Sequence, residues 1–130
     1  MLRFNSDHKF KIMQIADTQE IPAVSPDTLS LINNALDREK PDLVIFTGDQ
    51  IKGYSKKFKK DPAIIESTID ILVEPIAKRN IPFMVTYGNH DAQCGVDNRG
   101  QYKFYAKYDN FISCLLYTSP SPRDGANLVC

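Results

Sequence analysis

Histidine is scarce in this chain. Only His8 and His90 occur among its 130 residues, and none follows His90. Cysteine is scarce too: Cys94, Cys114 and Cys130 are an odd set with no CxxC pair. That excludes an even disulfide framework and makes a reduced, cytoplasmic setting the expectation. There is no excess of one charge, since 16 basic residues balance 16 acidic ones. No global field therefore favours nucleic acid or an anionic membrane as a partner. Long apolar runs are missing as well. The opening Met1-Leu2-Arg3-Phe4-Asn5-Ser6-Asp7-His8 has no core of signal-peptide length, and nothing approaches a membrane span.

What remains is ordinary for one small soluble domain, with 42% hydrophobic and 25% charged residues. Three short apolar runs read as strands: Phe10–Ala16, Leu43–Phe46 and Ile81–Tyr87. The second is continuously apolar, as a strand covered on both faces should be. Two helices are expected between them. Ser25-Pro26-Asp27 gives a hydroxyl cap, a first-turn proline and an acid at the positive dipole end. Leu29, Ile32, Ala35 and Leu36 form its apolar stripe, and Pro41 ends it. Asp61-Pro62 opens the next helix, where Ile65, Ile69, Leu72 and Ile76 recur at helical spacing. Pro75 should kink or break that helix. A third, aromatic-rich helix is expected over about residues 102–111. The βαβαβα order implies parallel neighbours with right-handed crossovers.

Three polar blocks stand just past the three strands: Asp17-Thr18-Gln19, Gly48-Asp49-Gln50 and Gly88-Asn89-His90-Asp91. Ligands bind α/β sheets at the carboxyl ends of strands. Carboxylate, amide and imidazole groups gathered there suit divalent metals. Each block has a plainer reading as a turn or cap, and Gly-Asp alone is a common turn dipeptide. A turn has no need of His and Asp after Gly-Asn, however. The three blocks, in order and each after a strand, point to a site.

The order and spacing resemble the calcineurin-like metallophosphoesterases, over roughly residues 10–91. The resemblance implies the first half of an αββα sandwich. It also implies two divalent metal ions (Mn, Fe or Zn) and hydrolysis of a small-molecule phosphate ester or a phosphoprotein. In those terms Asp17 is a first-metal carboxylate, with Gln19 a further ligand. Asp49 bridges both metals, and Asn89 lends an amide oxygen to the second. His90 contacts the phosphate and protonates the leaving oxygen, and Asp91 orients its imidazole. The chain departs from the pattern in three places. Gln19 stands where many members have His. Lys52 stands where purple acid phosphatases have tyrosine, which argues against an iron(III)-tyrosinate centre. The later lone His and the Gly-His-x-His block that complete the metal spheres do not occur. The expectation is therefore an incomplete and inactive piece of a phosphoesterase. The alternative is a non-catalytic α/β module or an inactive remnant.

Residues 114–124, Cys-Leu-Leu-Tyr-Thr-Ser-Pro-Ser-Pro-Arg-Asp, resemble a translated sequencing-library adapter. This implies a family domain over 1–113 and a non-native read-through tail over 114–130. A half sandwich would also leave one sheet face uncovered, with an exposed apolar patch and poor solubility. The Lys56–Lys60 run reads as a solvated loop, and Tyr102, Phe104, Tyr105, Tyr108 and Phe111 as core or a docking face.

Overall fold

The computed structural model describes residues 2–113, so the expected tail over 114–130 lies outside the described residues. Three parallel strands, β1 (Ile12–Ile15), β2 (Leu43–Thr47) and β3 (Phe83–Thr86), form a sheet in the order β1-β2-β3. Helix α1 (Pro26–Glu39) connects the first pair and α2 (Pro62–Ala77) the second, and α3 (Asn98–Ala106) follows β3. The expected α/β order holds. The third helix lies earlier than its aromatic run suggested, because Asp97 caps Gly100 and starts it.

Register decides which side chains share a face. Met13 pairs with Val44 and Val44 with Phe83, while Ile15 pairs with Phe46 and Phe46 with Val85. These six point to one side, where Val44, Phe46, Phe83 and Val85 are buried. Ile32, Leu36, Ile65, Ile69, Leu72, Ile76 and Tyr105 meet them there in one core. Burying each such side chain contributes about 1.5–3 kcal/mol. Two crossovers of one hand that step the same way across a sheet put both helices on one face. The opposite face carries Ile12, Gln14, Leu43, Ile45, Thr47, Met84 and Thr86, with Ile12 54% exposed and Leu43 buried. The reading of β2 as covered on both faces holds only in part: on that face Leu43 is buried, whereas Ile45 and Thr47 are half-buried. That face is mixed rather than a continuous apolar patch, since Gln14 donates to Thr47 across it.

Two other local expectations change. Ser25 occupies the N-cap of α1 but makes no side-chain cap bond. The buried Glu20 carboxylate accepts from the Ser25 amide at 3.0 Å and from the Thr28 hydroxyl instead. Pro75 does not break α2, which ends only two residues later. The Pro75 carbonyl is taken by Arg79, whose guanidinium also grips Asp37 and so ties α2 to α1.

Candidate active site

The β1-β2 ladder does not stop where the strands end. Asp17 N donates to Gly48 O at 3.1 Å, Gln19 N to Asp49 O at 2.9 Å and Glu20 N to Gln50 O at 3.1 Å. The first two polar blocks therefore lie side by side at the carboxyl edge of the sheet. The chain kinks sharply there. Asp17, Gln19 and Asp49 all have left-handed backbones, with φ of 52°, 42° and 54°. Non-glycine residues held this way cost about 1–3 kcal/mol each, and such strain clusters at functional sites.

The third block is held against the second by a close backbone approach. A Cβ on Gly48, whose φ is 114°, would lie 2.7 Å from Gly88 N. A Cβ on Gly88 would lie 2.1 Å from Asp49 Oδ1. Only glycine fits at both places. Asp49 Oδ1 then accepts the His90 amide at 2.9 Å. No hydrogen bond reaches Asp49 Oδ2, nor the side chain of Asp17 or Gln19, among the described residues. Asp49 is buried, Gln19 and His90 are half-buried, and Asp17 and Asn89 are exposed. The structure therefore brings Asp17, Gln19, Asp49, Asn89 and His90 to one edge.

Asp91 does something other than orient the imidazole. It is fully buried, and its carboxylate accepts from Asp49 N at 2.7 Å, Gly88 N at 2.7 Å and Ile51 N at 3.3 Å. Burial pushes its carboxyl above the usual value, the three amides pull it down, and the Asp49 charge raises it further. Its own carbonyl is taken by Gln101, which bolts the turn to α3. The expected pairing with His90 is corrected: Asp91 clamps the two loops together. The cause is the 3-10 turn over Asp91–Cys94, which sends this side chain inward.

The His90 ring has other neighbours. Its Nδ1 lies 2.9 Å from Gln93 Oε1 and its Nε2 lies 3.3 Å from Asn89 Nδ2. The Tyr54 ring meets it edge-on at 4.9 Å, and Lys52 Nζ sits 5.3 Å from the centre of that Tyr54 ring. Sequence reasoning missed Gln93 and Tyr54 as part of the site. The three-residue spacing from His90 to Gln93 was a usable signal, because side chains at i and i+3 eclipse in a 3-10 turn.

The site offers oxygen donors of the right kind for hard divalent cations, namely Asp17, Asp49, Asn89 and Gln19. The number falls short. Among the described residues no three His, Cys, Asp or Glu side chains group closely enough to hold a metal ion. Asp91, a further carboxylate beside Asp49, is committed to backbone amides. A transition-metal pair calls for several imidazoles, and among the described residues His90 alone brings one to this edge. The described residues do not by themselves make a metal site.

A sequence model of the calcineurin-like phosphoesterases matches residues 10–126. This chain belongs to the calcineurin-like phosphoesterase family. Among its curated relatives, Phosphatase DCR2 of Saccharomyces cerevisiae is 36% identical over 107 residues, covering 69% of the chain and 17% of the relative. Probable inactive purple acid phosphatase 14 of Arabidopsis thaliana is 28% identical over 128 residues, covering 86% and 31%. An uncharacterized metallophosphoesterase of Aquifex aeolicus is 28% identical over 91 residues, covering 68% and 31%. The chain thus spans less than a third of these relatives' lengths. A solved crystal structure shares the fold with a TM-score of 0.54 and 17% identity, covering 78% of this chain and 45% of that one. Among the described residues no helix is long and apolar enough to cross a membrane.

Proposed function

We infer that this chain is the first half of a metal-dependent phosphate-ester hydrolase and is inactive alone. The observation that supports this most is the meeting of the three blocks, with Asp49 Oδ1 on the His90 amide and an unbonded Asp49 Oδ2 beside it. Asp17, Asp49, Asn89 and Gln19 are the oxygen donors this half contributes. His90 contacts the phosphate and delivers a proton to the leaving oxygen. Imidazole ligands for the metal ions come from the second half of the domain, in keeping with the greater length of the relatives. The substrate is a small-molecule phosphate ester or a phosphoprotein, met in the cytoplasm.

The test is hydrolysis of p-nitrophenyl phosphate and bis-p-nitrophenyl phosphate by the complete gene product, with and without a chelator. Hydrolysis that stops on chelation supports the reading. A complete product with no such activity favours a second reading, a non-catalytic α/β module. That second reading draws on the incomplete donor set and on relatives named as probably inactive.

Where the family part ends is a separate question. The adapter-like string places the boundary at residue 113, whereas the family match runs to residue 126. Reading the source gene past the Ser113 codon decides it. A frame that continues without the string and supplies a Gly-His-x-His block supports a boundary at 113. A frame that keeps the string overturns it.

A further inference from the structure

We propose that Gln93 is the positioning residue for His90: it keeps the Nδ1 proton in place, so that Nε2, bare in the neutral ring, is the nitrogen that takes a proton from water and passes it to the leaving oxygen. The inference rests on the reading of His90 as the phosphate-facing group. Two contacts argue for it from the chemistry of their partners. Gln93 Oε1, 2.9 Å from Nδ1, is a carbonyl oxygen and can only accept. Nδ1 must therefore donate. Asn89 Nδ2, 3.3 Å from Nε2, is an amide nitrogen and can only donate. Nε2 must therefore present its lone pair. Both contacts assign the same tautomer, which is the one a second partner of the ring normally sets.

The surroundings keep this pair in place. Gln93 N donates to His90 O at 3.1 Å, so the backbone holds residue 93 one short turn past His90 whatever its side chain. Tyr54 flanks the imidazole edge-on at 4.9 Å. A Cβ on Gly53 would lie 2.0 Å from His90 O, so the Tyr54 loop sits directly on the turn. Asp91, the residue that a reading of neighbours would choose for this task, is fully buried on three other amides.

The experiment is long-range proton–nitrogen correlation of the imidazole nitrogens in this chain. His8→Asn first removes the other histidine. Residue 8 is exposed, with a φ of 56° that asparagine adopts readily. At a pH where the ring is neutral, the expected spectrum shows a protonated Nδ1 and an unprotonated Nε2. Gln93→Leu should move the proton to Nε2, the form a free side chain favours, and Gln93→Glu should keep it on Nδ1. Gln93 is exposed, so neither substitution threatens folding. In the complete gene product Gln93→Leu should lower kcat about 10-fold with KM little changed, and Gln93→Glu should restore it. A proton on Nε2 in the His8→Asn chain, or a Gln93→Leu spectrum identical to it, overturns the proposal. These signals need neither metal nor substrate. An inactive gene product with the Nδ1 proton in place would overturn the phosphoesterase reading and leave Gln93 standing.

Discussion

Asp91 Oδ2 lies 2.7 Å from the backbone nitrogen of Asp49, 42 residues earlier in the chain, and accepts its hydrogen. The same oxygen takes the Gly88 amide. One buried carboxylate thus sets the separation of the β2 and β3 loops, and with it the position of both Asp49 and His90.

Asp91→Ala should be strongly destabilising. It removes the acceptor of three backbone amides and leaves them buried without it. The expected loss is about 3 kcal/mol or more. Urea denaturation measures it, with an unchanged slope and a lower midpoint. A loss below about 0.5 kcal/mol would show that the clamp contributes little.

Gly88→Ala should act on the site more than on the fold. The new methyl would meet Asp49 Oδ1 at 2.1 Å and force that carboxylate off the His90 amide. A shift of about 1 Å at a reacting group costs about 100-fold in rate. Steady-state kinetics of the complete gene product should therefore show a kcat loss of that order. Stability should fall by only about 1–3 kcal/mol. Full activity in this variant would mean that Asp49 has room to spare.

Stability should fall in acid partly through Asp37. The Arg79 guanidinium bonded to it holds its carboxyl below the usual value. A depressed carboxyl contributes stability above its unfolded-state value and loses it as pH falls through the folded one. Thermal midpoints of the wild type and Asp37→Asn should therefore differ at neutral pH and converge below about pH 4. Both groups of this pair are near the surface, so salt should narrow the gap.

Metal should bind this chain weakly. Its oxygen donors lack the imidazoles that hold a transition metal. Millimolar Mn²⁺ or Zn²⁺ should raise the melting midpoint of the chain by no more than about 2 °C, against a clear rise in the complete gene product. A large shift in the chain alone would show that Asp17, Asp49, Asn89 and Gln19 suffice.

The strands and the two long helices were legible because their apolar spacing matches what they bury. Ile65, Ile69, Leu72 and Ile76 recur at helical intervals and all four lie in the core. The three blocks were legible because each follows such a run. Less legible were features set by tertiary contact. Nothing local says that Glu20 caps α1 in place of Ser25, since its partners are Ser25 N and Thr28. Asp91 stands next to His90 in sequence and reads as its companion, yet the 3-10 turn points it at amides about 40 residues away. Pro75 reads as a break, but it falls in the last turn, where few helical bonds remain to be lost.

The most direct test of the account compares the complete gene product with its Asp49→Ala and His90→Ala variants in p-nitrophenyl phosphate hydrolysis. The account predicts metal-dependent turnover that drops about 100-fold or more in both variants while their folded spectra are retained. Full metal-dependent turnover in either variant would contradict it.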